Sequence, residues 1–444
     1  LKEDDTHIII GPRSALFAPF QNLGLIIIDE EHDTAYKSEQ TPKYHARETA
    51  IERARLEGAL VVLGTATPSI ESYYKAKNGE YKLYTLNDRA KGSVLPEVRV
   101  VDLRDELRRG NRSIISDYLY EKLKEAFERG EQAMLFINRR GFNTFVSCRS
   151  CGEVIKCPNC DVSLALHSGS KLMCHYCGYT AGMPDRCPSC SSKLIGGYGT
   201  GTEKLEAEVQ RLFPEIRTLR MDRDTTAGKG SHGEIIKRFR EGDADCLVGT
   251  QMIVKGHDFP RVTVVGNILA DLSLFDTDYE SAERTFDLLT QAAGRAGRDQ
   301  LPGKVVIQTY QPEHYAIETA SRQDYEGFYD YEIAYRKLLS YPPASNLFAV
   351  LFMSENEADV IGISDRAAEL IREYAGGQES VRDVTGPASA VVYRVNNVYR
   401  KVLYIKADDT AVVRDITAIC DKLYEDSDNK ELQIQYDLNP IRVL

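Results

Sequence analysis

Apolar and polar positions along this chain follow two alternating rhythms. The continuous aliphatic run Leu25–Ile28 reads as a strand buried on both faces, the kind found in parallel sheets, and Leu60–Leu63, Gln132–Ile137, Ala244–Val248 and Val262–Leu269 read as further strands. Thr6–Gly11 and Ile216–Met221 join them as further strands, and Lys304–Thr309 is expected to close the second sheet. Between the runs lie segments of helical period: Glu48–Gly58, with Gly58 as its stop, then Ser116–Arg129, Thr202–Leu212, Gly233–Arg240 and Glu283–Ala293. In Ser116–Arg129 the residues Leu119, Leu123 and Phe127 form one apolar stripe. Strand and helix in alternation predict parallel sheets with helices on both faces. Residues 85–112, marked by Gly92, Pro96, Gly110 and mixed charge, read as a connector. Residues 310–340 are helical and rich in tyrosine, and Pro342-Pro343 marks a boundary. Beyond it, strands at Leu347–Met353, Val381–Val384, Tyr399–Ala407 and Leu432–Asp437 and helices at Glu355–Tyr374 and Ala411–Tyr424 predict a small α+β domain.

Composition narrows this picture. A length of 444 residues suggests two to four domains, and 42% hydrophobic with 28% charged residues fits a soluble globular chain. No apolar run approaches the roughly 18–20 residues of a membrane span. The net charge of −11 counts mildly against nucleic acid, so a nucleic-acid binder of this balance must gather its Lys and Arg in local patches. The chain starts at Leu1, not Met, and is expected to be part of something longer.

Eight of the ten cysteines form four C-x-x-C knuckles: Cys148/Cys151, Cys157/Cys160, Cys174/Cys177 and Cys187/Cys190. Two knuckles make one tetrahedral Zn²⁺ site, so four predict two structural sites. Closed four-cysteine sites leave no open position for catalysis, and four knuckles exceed what a dithiol switch needs. Spacing does not fix which knuckles pair, and His167 and His175 stand near enough in sequence to substitute as ligands. Cys246 and Cys420 read as buried structural thiols.

The run Leu25–Ile28 ends in Asp29-Glu30-Glu31-His32. Acids at the carboxyl end of a parallel strand lie where open α/β sheets bind ligands. One carboxylate there can hold Mg²⁺ and its neighbour can polarise a water; the alternative is a solvated acidic turn. The following loop interleaves Tyr36, Lys37, Lys43, Tyr44, His45 and Arg47, a mixture able to stack bases and meet phosphates, or simply a surface loop. Near the end of a later helix, Arg295 and Arg298 share a basic face with Gln291 one turn earlier. Arginine's planar fork suits phosphate oxygens, including charge that develops on a transferring phosphoryl group. The cluster Gly196-Gly197-Tyr198-Gly199-Thr200-Gly201 lacks the spacing of a phosphate loop and reads as a turn.

With Gly64-Thr65-Ala66-Thr67-Pro68-Ser69, the segment Gly249–Pro260 and Gln291–Arg298, the acidic motif resembles the ordered motifs of superfamily 2 helicases. The zinc knuckles inside the second lobe, with Gly386-Pro387-Ala388, Tyr399-Arg400 and Asp437-Leu438-Asn439-Pro440 in the tail, make it similar to the primosomal replication-restart helicases of bacteria. The resemblance covers essentially the whole chain. It implies an α/β fold: two RecA-like lobes, the first truncated, a Cys-rich double-zinc module inserted in the second, and a small α+β C-terminal domain. The expected divisions are 1–110, 111–147, 148–190, 191–340 and 341–444.

The same resemblance implies ATP-dependent 3′–5′ unwinding at stalled or branched forks, with ATP and Mg²⁺ as cofactors beside the two Zn²⁺. Asp29 would hold Mg²⁺, Glu30 would orient water, and Gln291, Arg295 and Arg298 would reach the γ-phosphate. Gly256 and Asp258 would lie at the nucleotide, and Arg13, Thr65, Arg139, Arg140, Thr250 and the Tyr36–Arg47 loop would line the DNA track. Single-stranded and fork DNA, primosome proteins and a single-stranded-DNA-binding protein are the implied partners of a cytoplasmic monomer. The family's Gly-Lys-Thr phosphate loop does not occur in these 444 residues, so the chain alone is expected to hydrolyse ATP poorly. A non-catalytic zinc-dependent DNA-binding or scaffold module, or another superfamily 2 translocase, are the competing readings.

Overall fold

The structure, a computed structural model, describes residues 7–41, 43–86, 96–137, 144–167, 171–197, 201–228, 230–254, 259–275, 278–297, 303–427 and 431–442. These form two compact units. One holds the described residues of Leu1–Leu83 together with Ser340–Arg442, and the other those of Tyr84–Leu339.

Of the expected strand at Thr6–Gly11, the described residues 7–11 are irregular, and the chain then enters a 3₁₀ turn at Arg13–Phe17. Strand β1 (Leu25–Asp29) is followed by helix α1 (Ala46–Glu57), strand β2 (Leu60–Gly64) and helix α2 (Ile70–Lys77). Gly58 ends α1 at φ 70°, where a side chain would be strained. β1 and β2 pair in parallel, with Asp29 opposite Gly64. Burial on both faces was expected of β1, yet Leu25 and Ile27 are exposed, as are Leu60 and Val62 beside them. Of the residues of β1 and β2 only Ile28 is buried, because α1 covers one face of a sheet that has two strands among the described residues.

The second unit opens with β3 (Glu97–Asp102) and α3 (Leu103–Arg108), where a connector was expected. β3 is an edge strand in parallel register with β13, so Lys304–Thr309 does not close the sheet. After α4 (Asp117–Glu128) and β4 (Gln132–Phe136), the chain enters β5 (Thr144–Cys148), β6 (Ala165–His167), β7 (Lys171–Met173), β8 (Thr180–Gly182) and β9 (Ile195–Gly197). These five make a separate antiparallel sheet in the order β8-β7-β6-β5-β9. The parallel sheet resumes through α5 (Thr202–Leu212), β10 (Thr218–Met221), α6 (Ser231–Glu241), β11 (Cys246–Gly249), β12 (Val262–Asn267), α7 (Asp271–Leu274), α8 (Ser281–Ala293) and β13 (Lys304–Thr309). Its order is β10-β11-β4-β12-β13-β3. One core of Leu119, Leu123, Leu135, Leu205, Val209, Val248, Val264 and Val306 fills the space between the sheet and α4 and α5. Helices α9 (Tyr315–Arg322) and α10 (Tyr325–Leu338) follow.

The C-terminal part of the first unit is β14 (Asn346–Ser354), α11 (Glu357–Ala375), β15 (Val381–Val395), β16 (Val398–Ala407), α12 (Val412–Glu425) and β17 (Gln433–Leu438). The strands form an antiparallel sheet ordered β15-β16-β14-β17, covered on one face by α11 and α12. Strand β15 runs far beyond the expected Val381–Val384, with register shifts that keep it paired to β16.

Candidate nucleotide and zinc sites

The acid pair stands where the aliphatic run predicts it, at the carboxyl end of β1. Asp29 and Glu30 are both exposed, and Glu30 adopts φ 48°, which turns the chain sharply out of the strand. Asp29 Oδ1 accepts from the Glu30 N–H at 3.0 Å. His32 Nδ1 lies 2.7 Å from Thr65 Oγ1, and Thr65 Oγ1 also accepts from Thr67 N–H at 3.0 Å. The acidic turn and the Gly64–Ser69 turn are thus hydrogen-bonded to each other.

Glu31, between these groups, is 1% exposed. Its carboxylate accepts from Ser69 N–H at 2.7 Å, Ser72 Oγ at 2.9 Å and Arg47 Nη1 at 2.9 Å. This corrects the expectation for Arg47, which is a buried strut rather than a phosphate contact. Burial would pull its guanidinium down, but Glu31, Glu71 and Glu48 outweigh that and hold it well above the usual range.

The Tyr36–Arg47 loop is braced from several sides. Arg13 Nη1 donates to the carbonyls of Ala35 and Lys37, both at 2.7 Å. The Tyr36 hydroxyl donates to the Asp29 carbonyl at 2.7 Å, and burial with the nearby Asp29, Asp33 and Glu30 charges raises its pKa. Tyr44 meets Phe17 edge-on with centroids 5.2 Å apart. His45 caps α1, its Nδ1 accepting from Arg47 N–H at 3.2 Å; burial and Arg47 push the imidazole down to about 4. Lys37 and Lys43 also differ from expectation. Both are turned onto Asp437, at 2.7 and 3.2 Å, with their side chains nearly covered, so neither presents an open ammonium to a phosphate in this conformation.

In the second unit, Gln291 and Arg295 are half-buried, on and just after the last turn of α8. The Gly294–Gly297 turn is set by close packing. Gly297 has φ 67° and donates to the Val262 carbonyl at 3.2 Å. A Cβ on Gly303 would lie 2.3 Å from the Ala296 carbonyl carbon. Thr250 is half-buried beyond β11, where a Cβ on Gly249 would come within 2.4 Å of the Met221 carbonyl oxygen. Arg139, Arg140, Gly256, Asp258 and Arg298 lie outside the described residues.

The eight knuckle cysteines gather into two groups, Cys148, Cys151, Cys187 and Cys190, and Cys157, Cys160, Cys174 and Cys177. The outer two knuckles pair and enclose the inner two, a nesting that spacing alone leaves open. Each knuckle has the same turn: the N–H four residues after its first cysteine donates back to that cysteine's carbonyl. The donor residues Gly152, Asp161, Gly178 and Ser191 all have positive φ, from 53° to 83°. Within each group, sulfurs of different knuckles stand 3.6 Å apart, at Cys148–Cys190, Cys151–Cys187 and Cys157–Cys177. Four thiolates at about 2.3 Å around a tetrahedral zinc would be about 3.8 Å apart, so the geometry fits that ion. His167 and His175 are not part of either group; their Nε2 atoms face each other at 3.0 Å. Gly152 packs so closely on Tyr310 that a Cβ would fall 2.4 Å from its carbonyl oxygen, which seats the first knuckle on the chain leaving β13.

Comparison with known proteins agrees with this architecture. Residues 157–181 match the family model of the PriA DNA helicase Cys-rich region domain, and 198–300 match the helicase conserved C-terminal domain. Residues 337–441 match the primosomal protein N C-terminal domain. The replication restart protein PriA of Bacillus subtilis is 45% identical over 99% of this chain and 54% of its own length. That of Synechocystis is 45% identical over 90% of this chain and 49% of its own. The chain therefore spans about half the length of these relatives. Three family models in succession along the chain, and an alignment at 45% identity that spans 99% of it, place the chain in the PriA family of replication restart proteins.

Proposed function

We propose that this chain forms part of an ATP-driven DNA helicase that acts 3′ to 5′ at stalled or branched forks and helps load a replicative helicase. The observation that carries this reading is the joined pair of turns in the first unit. The turn that carries an exposed acid pair at a strand end is hydrogen-bonded, through His32 and Thr65, to the Gly64–Ser69 turn. Such a connection lets the state of a nucleotide be felt by the neighbouring polynucleotide track. Asp29 would hold Mg²⁺ through its carboxylate, and Glu30 would orient the attacking water. Gln291, Arg295 and Arg298 would act on the γ-phosphate of ATP, with Gly256 and Asp258 near the nucleotide. Arg13, Tyr36, Tyr44, His45, Thr65, Arg139, Arg140 and Thr250 would serve single-stranded DNA, and Lys37 and Lys43 would join them once released from Asp437. The two cysteine groups would each hold one structural Zn²⁺. Primosome proteins and a single-stranded-DNA-binding protein would be its partners in the cytoplasm.

A test uses any longer chain that contains these 444 residues and a phosphate loop. Glu30→Gln and Arg295→Ala should each abolish most DNA-stimulated ATP hydrolysis while leaving single-strand binding intact. Full ATPase in the Arg295→Ala variant would refute the assignment. The 444-residue chain itself should bind fork DNA in preference to duplex RNA at equal salt, and hydrolyse ATP poorly.

A further inference from the structure

The two lysines expected to meet phosphate are both occupied by one carboxylate of the C-terminal part of the same unit. Lys37 Nζ lies 2.7 Å from Asp437 Oδ1 and Lys43 Nζ 3.2 Å from Asp437 Oδ2. Lys37 Nζ also donates to the Leu438 carbonyl at 2.8 Å. At the rim of the same contact Arg442 reaches Glu39 at 3.6 Å. All three principal side chains are almost fully covered, at 7%, 9% and 6% exposure. Covered charges are held this way only when paired, because removal from water costs several kcal/mol per ion.

The carboxylate is rigidly mounted. Asp437 lies in β17 opposite Ala349 of β14. Just beyond it Asn439 exchanges hydrogen bonds with Leu347, its N–H to the Leu347 carbonyl at 2.7 Å and its Oδ1 from the Leu347 N–H at 2.8 Å. The loop is held on its other side by Arg13, and through Tyr36 it is tied to the backbone carbonyl of Asp29. One anionic group bridging two ammonium groups is the arrangement a backbone phosphate makes with a lysine pair.

We propose that Asp437 is a positioning residue that keeps the loop after the acid pair closed by standing in for a nucleic-acid phosphate between Lys37 and Lys43. A single-stranded phosphate backbone competes with Asp437 for the two lysines. When it wins, the loop leaves β17, and the Tyr36 hydroxyl transmits the movement to the Asp29 peptide. The C-terminal domain then sets how readily nucleic acid opens the loop. This rests on the nucleic-acid reading proposed above for the loop.

The experiment compares the 444-residue chain with Asp437→Asn, which keeps the shape and removes the charge, and with Asp437→Glu, which restores it. Anisotropy of labelled oligo-dT is followed across a salt series, and hydrogen exchange is measured over residues 33–47. The Asn variant should bind about five- to tenfold more tightly, the scale of an ion-pair competitor removed. Its log–log salt slope should steepen by up to about 1.4, two contacts at about 0.7 each. Exchange over 33–47 should speed up without DNA, and the Glu variant should behave as the parent. Adding Lys37→Met and Lys43→Met should erase the gain.

Unchanged exchange over 33–47 in the Asn variant overturns the lock, as does a gain in affinity that survives loss of both lysines. If the exchange speeds up but neither protein binds oligo-dT, the nucleic-acid reading of the loop fails instead, and the phosphate-competition claim falls with it. Should Asp437→Asn not fold, Lys43→Met removes one partner and leaves β17 untouched. Faster exchange there supports the lock, and unchanged exchange overturns it.

Discussion

Arg47 offers the sharpest test of what the fold adds to the motif. A solvent-facing arginine on a nucleic-acid loop would be replaceable at no cost to stability, with single-strand affinity falling. The structure requires the reverse. Arg47 is 5% exposed and its Nη1 lies 2.9 Å from the fully covered carboxylate of Glu31. Arg47→Met keeps much of the stem volume but leaves Glu31 charged and buried. Breaking a buried pair from one side costs about 3–5 kcal/mol. The lower end applies, since Ser69 N–H and the Ser72 hydroxyl still donate to Glu31. The second pairing of Arg47, with Glu48, has a half-exposed partner and adds no more than about 1 kcal/mol.

The expected loss is therefore about 3–4 kcal/mol in the unit that contains α1 and α2, read by chemical denaturation with hydrogen exchange over residues 46–77. Glu31→Gln should lose less, because its amide oxygen still accepts from Ser69 N–H. The double variant should be more stable than the two single losses added together, with a coupling of about 1–3 kcal/mol. Full stability in Arg47→Met, with weakened DNA binding, would refute the buried-strut argument and return Arg47 to the DNA track.

Three further outcomes follow from the geometry. Metal analysis should find two zinc ions per chain, and Cys148→Ser and Cys187→Ser should each remove the same single ion while Cys157→Ser and Cys174→Ser remove the other; any pairing of neighbours instead would contradict the nesting. Gly303→Val should displace the Ala296–Gly297 turn and, in an ATPase-competent longer chain, cut turnover more than tenfold with little change in DNA affinity, since its Cβ would overlap the Ala296 carbonyl. His45 and His314 are both held down at about 4 by burial, helped by Arg47 and Lys156 respectively, against an ordinary 6.5. The unfolded chain takes up these protons first on acidification, so each unit should lose stability as pH falls from 6.5 towards 4, by up to about 3 kcal/mol per histidine, and none above 6.5; a flat denaturation profile across that window would contradict the burial of both rings.

What was legible in the sequence was whatever chemistry places in neighbouring letters. The acids at the end of β1, the four knuckles and the glycines of the Gly294–Gly297 turn declare themselves, because strand ends, metal ligation and close backbone contacts demand those residue types. The edge strand β3 was legible too: in Glu97-Val98-Arg99-Val100 apolar and charged positions alternate, the signature of a half-buried strand, but the flanking glycines and prolines drew the segment into a connector. Arg47 and the lysine pair were not legible. Their neighbours Glu31 and Asp437 are fixed by strand pairing and by a domain some four hundred residues downstream, and a basic residue looks the same in sequence whether it faces solvent or a buried acid. Knuckle pairing was hidden for a related reason, since β6, β7 and β8 fold back between the knuckles and decide which sulfurs meet.

A common construction appears at the two places where reacting groups are proposed. In each, the element that leads to the functional side chain also carries a buried ion pair. Exposed Asp29 and Glu30 precede Glu31, clasped by Arg47; half-buried Gln291 and Arg295 end a helix whose Glu283 is held by Arg336, itself 0% exposed and bonded to Glu332 at 2.8 Å. Apolar residues could fill these sites with equal or greater stability, because the desolvation of a buried pair consumes most of its attraction. Apolar packing, however, lets a turn slide or rotate by small amounts at little cost, whereas an arginine fork meets its carboxylate in few orientations. Phosphoryl transfer depends on positioning more than on covalent chemistry, so a brace that fixes direction is worth its desolvation at these positions. The lysine pair on Asp437 is the contrast: single ammonium groups on flexible stems make a contact that a phosphate can replace, which suits a part of the molecule meant to open.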